Sequence, residues 1–179
     1  MAAPTPIATP EDPFRLSDRE YAALLSIIGE KPFVIQSSTK ADFIGEPSLD
    51  QSKSHPGLLP ETVADYTKKN FSGRSSVSFE IERKFPTGEK YVLLSQEDLK
   101  SQFDYKKSNA TDRWKDFEEK YGTGGYYTIS RIGFSSDGMQ GFAFVSFTCG
   151  SLCADGTYYF LIQEDGKWKV ESKKTVWVS

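Results

Sequence analysis

Few residues in this chain combine a type and a spacing that could do chemistry, and the two cysteines are the clearest. Cys149 and Cys153 stand in the stretch Thr-Cys-Gly-Ser-Leu-Cys-Ala-Asp-Gly, a C-x3-C spacing. A redox pair of the thioredoxin kind needs C-x2-C followed by a helix whose dipole lowers the thiol pKa. Neither condition is met. A structural zinc site takes four ligands, usually from two such pairs, and the lone histidine, His55, is far away in sequence. Two choices remain: a disulfide that braces a loop in an oxidising compartment, or two reduced thiols. The expectation is a Cys149–Cys153 bridge, with no metal and no cofactor. Closing so short a loop stabilises by only about 2 kcal/mol, so such a bridge shapes a loop more than it holds a domain together.

The second motif is Gln140-Gly-Phe-Ala-Phe-Val-Ser-Phe147. It matches the RNA-recognition signature K/R-G-F/Y-G/A-F-V-x-F/Y at every position but the first. In that fold the aromatic rings stack on bases. Here Gln140 replaces the basic residue, and the segment that follows reads as a Cys-containing loop and another strand where a helix should come. The aromatic side chains are therefore expected to be sheet core. A net charge of −3 points the same way, since nucleic-acid binders usually carry a basic excess. No nucleic-acid partner is expected.

Other catalytic signatures are missing. G-x-S-x-G, Walker A and G-x-G-x-x-G do not occur, and Gly122-Thr-Gly-Gly125 reads as a helix-to-strand connection. His55 lies in Lys-Ser-His-Pro-Gly, a turn-like surface setting. Asn70-Phe-Ser72 and Asn109-Ala-Thr111 are glycosylation sequons, which matter only in a eukaryotic secretory setting.

The elements that must position these residues are legible from periodicity. The chain has 179 residues, 26% charged and 37% hydrophobic, which suits one folded domain. No apolar run approaches the roughly 18 residues needed to cross a membrane, so no transmembrane segment is expected. Residues 1–15 read as a Pro-rich tether of the kind left ahead of a domain once a signal peptide is removed, and 16–179 as a single α+β domain. Ser17 and Glu20 form a capping box, and Tyr21, Leu24, Leu25 and Ile28 make the apolar stripe of a first helix ending at Gly29. Phe33-Val34-Ile35 is strand-like. Residues 36–58 show no clear element, and a second helix is expected from Pro60 to about Asn70, with Val63 and Tyr66 inward. Alternation predicts a strand over 76–82, and Tyr91–Leu94 is a short apolar strand. Ser95 caps a third helix. A fourth starts near Thr111, with Trp114, Phe117 and Tyr121 on one face, and stops at Gly122.

From Tyr126 the period changes to 2, predicting strands at 126–134, 140–149, 157–164 and 167–178. Asp137-Gly138, Asp155-Gly156 and Asp165-Gly166 separate them, and Asp-Gly between apolar runs is a strong hairpin signal. The expected fold is α+β, with N-terminal helices packed on a C-terminal antiparallel meander of about four strands that could curve into a cone. The strand at 140–149, apolar on both faces, should be central.

Several of these segments resemble a family of uncharacterised bacterial proteins, mostly secreted or cell-envelope. The matching residues are Ile129-Ser-Arg-Ile-Gly-Phe134, Cys149-Gly-Ser-Leu-Cys153 with Gly156, Tyr158-Tyr-Phe-Leu161, Trp168 and Trp177-Val-Ser179. Upstream, Tyr91-Val-Leu-Leu-Ser95, the stretch from Trp114 to Tyr121 and Glu20-Tyr21 fit the same layout, so the likeness spans most of residues 16–179. Ala154 stands where such proteins more often have Gly. The resemblance implies export, to the periplasm or outside the cell, and brings no activity and no catalytic residues.

The functional expectation is an extracytoplasmic, non-catalytic binding or interaction module whose partner is a protein or a small-molecule ligand. Its candidate pocket lies between the fourth helix and the sheet, lined by Trp114, Tyr126, Tyr127, Arg131 and Tyr158. Arg131 is the only arginine after Tyr126; it holds an anionic ligand or, more in keeping with its apolar strand, a structural ion pair. The alternative is a small pocket enzyme of the hydrolase, isomerase or cyclase type, which needs a carboxylate of raised pKa in a pocket. RNA binding stands third.

Overall fold

The computed structural model describes residues 15–39, 65–75, 79–104, 106 and 109–179. Within them the α+β expectation holds, with four helices and a sheet of seven strands beside a two-stranded one. The helices are α1 (Asp18–Ile28), α2 (Asp65–Ser75), α3 (Gln96–Gln102) and α4 (Ala110–Tyr121). The strands are β1 (Phe33–Gln36), β2 (Ser38–Thr39), β3 (Phe79–Glu80), β4 (Tyr91–Leu94), β5 (Tyr126–Ile129) and β6 (Gly133–Phe134). The long ones follow: β7 (Gln140–Gly150), β8 (Cys153–Glu164) and β9 (Lys167–Val178).

The sheet is larger and more mixed than a four-strand meander. Its order is β4-β1-β5-β7-β8-β9, with β6 also on β7. β1 runs parallel to both β4 and β5, and the remaining pairs are antiparallel. It does not close into a cone: β4 and β9 are its two edges. The parallel part escapes a local reading because parallel neighbours need long crossovers. α3 and α4 supply one, carrying the chain from β4 over β1 to β5. The strand expected over 76–82 is observed only as β3, paired with β2, and Phe79 and Ile81 are buried while Glu80 is exposed. Residues 76–78, Pro60, Val63 and His55 lie outside the described residues, as does the side chain of Tyr66. Within those described, the second helix runs to Ser75, five residues past Asn70.

Helix ends follow their caps. Ser17 Oγ accepts the Glu20 N–H while the Glu20 carboxylate accepts the Ser17 N–H; Ser95 and Asp98 repeat the device at α3. Asn109 caps α4 by accepting the Asp112 N–H, and Gly122 ends it in the left-handed region at φ 71°.

Two layers of helix cover the sheet. α1 packs on one face, where Tyr21, Leu24 and Leu25 meet Phe33, Ile35, Ile129, Val145, Leu161 and Trp168. On the other face, Phe117 of α4 sits on Val34 and Leu94. Beside it Phe71 of α2 packs on Phe142, Phe144, Tyr158 and Phe160. β7 is thus apolar on both sides and central in the antiparallel part, as its sequence requires. Of the three rings of the RNA-recognition-like motif, Phe142 and Phe144 are 0% and 4% exposed and offer no stacking surface, while Phe147 is half-buried.

Two of the turn expectations change. Asp165-Gly166 does turn with both residues at positive φ, 49° and 75°, the arrangement a two-residue type I′ hairpin needs. At Asp137-Gly138 only the glycine has positive φ, and the connection is a longer loop closed by Ser135 and Gln140. Asp155-Gly156 is no turn at all: both residues lie inside β8, paired with Phe147 and Ser146. The chain reverses earlier, at Ser151-Leu152. Glycine is needed at position 156 for another reason, because a Cβ there would overlap the Trp177 indole and press on Phe144.

β9 pairs with β8 in three registers. Asp155 pairs with Val178 and Gly156 with Trp177, but Thr157 pairs with Thr175, and Leu161 with Val170 after Phe160 with Ser172. β9 therefore carries an extra residue at Val176 and another at Glu171, two bulges in the sheet's outer strand.

Large-to-small changes in these clusters should be costly. Phe144→Ala or Trp168→Ala is expected to lower unfolding free energy by about 3–5 kcal/mol, read from urea denaturation. A near-neutral result would contradict the burial of those rings.

Candidate functional site

The predicted strand 126–134 is interrupted, and the interruption is the main site-building event in the chain. Ile129 pairs with Val145 and Gly133 with Phe142. Three residues, Ser130, Arg131 and Ile132, thus oppose two, Ala143 and Phe144. This is a β-bulge, which bends a strand and re-aims a side chain. Ser130 repairs the ladder: its N–H donates to the Phe144 carbonyl at 2.9 Å, and its Oγ accepts the Phe144 N–H at 2.8 Å.

The bulge turns Arg131 inward onto Glu20. The guanidinium donates from Nε to Oε1 at 3.1 Å and from Nη2 to Oε2 at 2.9 Å, a two-pronged pair. The Ile132 N–H donates to Oε1 at 3.3 Å, and the Ser17 N–H and Oγ to Oε2 at 2.9 and 3.1 Å. Arg74 of α2 adds an ion pair at 2.9 Å. Glu20 is 0% exposed and Arg131 2%. Burial by itself raises the Glu20 pKa; the Arg131 hydrogen bond, the Arg74 charge and the Ser17 N–H outweigh it and hold the carboxyl below its ordinary value.

α2 is also stapled to the bulged strand through the backbone. The Phe134 N–H, on the open side of β6, donates to Asn70 Oδ1 at 2.9 Å. A Cβ at Gly133 would overlap the Phe71 backbone, so only glycine lets the helix lie this close. α2 covers the edge that β6 would otherwise expose. Asn70, the first sequon residue, is engaged in this contact, and Asn109 in its helix cap.

The five residues expected to line one pocket are spread over four places. Trp114 and Tyr126 do meet: their rings lie nearly parallel, 9° apart with centroids 6.3 Å apart, inside a cluster with Phe103 and Phe117. Tyr127 points to the opposite face of the sheet, where its ring centroid is 4.7 Å from that of Phe147. Tyr158 lies under α2 with Phe71 and Phe142. Arg131 is committed to Glu20. Neighbours on a strand face opposite ways, so Tyr126 and Tyr127 could not have lined a single cavity.

The cysteines are joined. The Cys149–Cys153 disulfide, with Cα atoms 5.0 Å apart, ties the end of β7 to the start of β8 around Gly150-Ser-Leu152. Next to it the chain is clamped again, as Ala154 and Ser179 exchange backbone hydrogen bonds at 3.2 and 2.8 Å. This end of the sheet presents apolar side chains to solvent. Leu152 is 87% exposed, Val178 76% and Trp177 40%. Composition gives no hint of that exposure; a leucine inside a loop of small polar residues was the only available signal.

Two outcomes follow. Glu20→Gln is expected to destabilise the fold by about 3–5 kcal/mol at neutral pH, because two arginines lose their counter-charge. Because the folded carboxyl titrates below its ordinary value near 4.5, its stabilisation is complete above that value and fades as pH falls through the lower folded one. Urea midpoints against pH should show this acid limb in the native chain and lack it in Glu20→Gln. Separately, Cys149→Ser with Cys153→Ser should cost only about 2 kcal/mol, and reduction should raise the intact mass of the native protein by two hydrogens.

No family model, curated protein or solved structure matches this chain.

Proposed function

We propose that this chain is an extracytoplasmic bacterial protein that acts as a non-catalytic binding module, meeting a protein partner through the disulfide-closed end of its sheet. The observation that carries this reading is the placement of exposed apolar side chains. Among the described residues five large hydrophobics are exposed: Met139, Leu152, Val170, Trp177 and Val178. Three of the five stand at the one end that a covalent bridge holds in shape. A bridge over so short a loop adds little to global stability, so its effect is to fix the presentation of Leu152. Isolated exposed hydrophobics need no explanation, but Leu152 at the tip, with Trp177 on one face and Val178 on the other, fits a partner that grips this rigid end of the sheet. Trp is among the residues most often found at the centre of such contacts.

Export is supported by the bridge, since disulfides persist in oxidising compartments. The enzyme alternative draws less support. It calls for a carboxylate poised in a cleft with its pKa raised, whereas Glu20, the buried carboxylate among the described residues, is shifted downward and surrounded by donors.

A photo-reactive residue at position 152, with a control at the exposed Lys115 of α4, tests the surface. In envelope preparations the 152 probe should give a discrete adduct that the control does not. Excess unlabelled native protein should compete it away, and excess Leu152→Asp/Val178→Asp protein should not. Both replaced side chains are exposed, so stability should move by no more than about 0.5 kcal/mol each. Equal labelling at both positions, or equal competition by the double variant, would sink the reading.

A further inference from the structure

On the α1 side of the sheet, near the disulfide, a half-buried carboxylate without a partner among the described residues stands among aromatic rings that rim the main core. Tyr127, Phe147 and Asp155 are cross-strand neighbours on β5, β7 and β8, in one row on that face. The next row on the same face is Val145 and Thr157, each 3% exposed, and one step further along β8 stands Tyr159. Val145 and Thr157 are both buried beneath their neighbours. Tyr127 and Phe147, with ring centroids 4.7 Å apart, make a wall on one side, and Tyr159 stands on the other. Ala143, the residue opposite Tyr159, is too small to crowd that ring.

Tyr127, Phe147, Asp155 and Tyr159 are all half-buried. Among the described residues neither tyrosine hydroxyl nor the Asp155 carboxylate makes a hydrogen bond or an ion pair. The basic group nearest in register is Lys173, opposite Tyr159 on β9, and it is exposed. Burial first, and the Asp155 charge second, push both tyrosines above their ordinary pKa, so the carboxylate lies close enough to act on both rings. Three aromatic rings stand beside it, and the face of such a ring attracts cations. The field here is therefore that of a cation receptor: an anion would be repelled, and a neutral ligand would leave the carboxylate without a partner.

We propose that Tyr127, Phe147, Tyr159 and Asp155 form a binding site for a small organic cation of the alkylammonium class, its charge set against Asp155 and its carbon groups against the rings. The site uses other side chains than the Leu152–Trp177–Val178 end and does not depend on that reading. The disulfide serves both, because it fixes the hairpin from which Phe147 and Asp155 project, each two residues from a cysteine.

An NMR titration of the oxidised protein with choline, followed through backbone amide shifts, tests this directly. Shifts should centre on residues 127, 147, 155, 157 and 159. The uncharged tert-butyl analogue of choline should leave them unmoved. Asp155→Asn should weaken choline binding by about tenfold or more, its own spectrum reporting that it is folded. Lys173→Ala, which removes a competing charge, should strengthen binding, and Leu152→Asp should leave it unchanged. Absence of shifts at high choline concentration, shifts centred elsewhere, equal response to the uncharged analogue, or full binding by Asp155→Asn would each overturn the proposal.

Discussion

A carboxylate with no access to water accepts donors from three separated parts of this chain, and most of the architecture follows from keeping them in place. Glu20 caps α1 through Ser17, receives Arg131 and the Ile132 N–H from the bulge, and pairs with Arg74 of α2. A buried ion pair adds little net stability over an apolar core of the same shape, but breaking one is expensive. The pair therefore acts less as glue than as a register mark. With it made, the α1 cap, the extra residue in the β5–β6 strand and the approach of α2 are mutually consistent, and slipping any of them strands a charge inside.

The bulge connects this polar junction to the sheet. The β5–β6 strand runs along the central strand β7 in two registers, one on each side of Ser130-Arg131-Ile132. Beyond the bulge β1 no longer accompanies it, and α2 takes over as its outer neighbour. The helix that pairs with Glu20 is thus also the one that shields the β6 edge and seats Phe71 against Phe142 and Tyr158. Polar and apolar contacts of α2 specify the same position, which is the kind of agreement that favours a single native arrangement.

Much of this was legible from local rules. The Ser17–Glu20 capping box, the Ser95 cap, the Gly29 and Gly122 stops, the amphipathic α4 and the central character of β7 all rest on interactions within a few residues, and each is observed. What escaped was non-local. Ser17 and Glu20 announce a cap, but nothing near them announces Arg131, 111 residues away in sequence. Asp155-Gly156 carries a turn signature that tertiary structure overrides, because Trp177 needs the space above Gly156. The proposed pocket failed for a reason already present in the strand period, since adjacent tyrosines diverge. The parallel pairing of β1 with β4 and β5 was hidden because strands of four residues show little of which neighbours they will find.

The two extra residues in β9 bear on how such a protein behaves when crowded. An outer strand 12 residues long is a template on which a second sheet could grow. Here Glu171 and Val176 break its hydrogen-bonding rhythm, while Lys167, Lys169, Lys173 and Lys174 line the same strand with like charge. No straight run on that strand exceeds about half its length, so an incoming strand meets a bent and positively charged margin. When the protein is concentrated, this margin therefore resists the joining of sheet to sheet through β9.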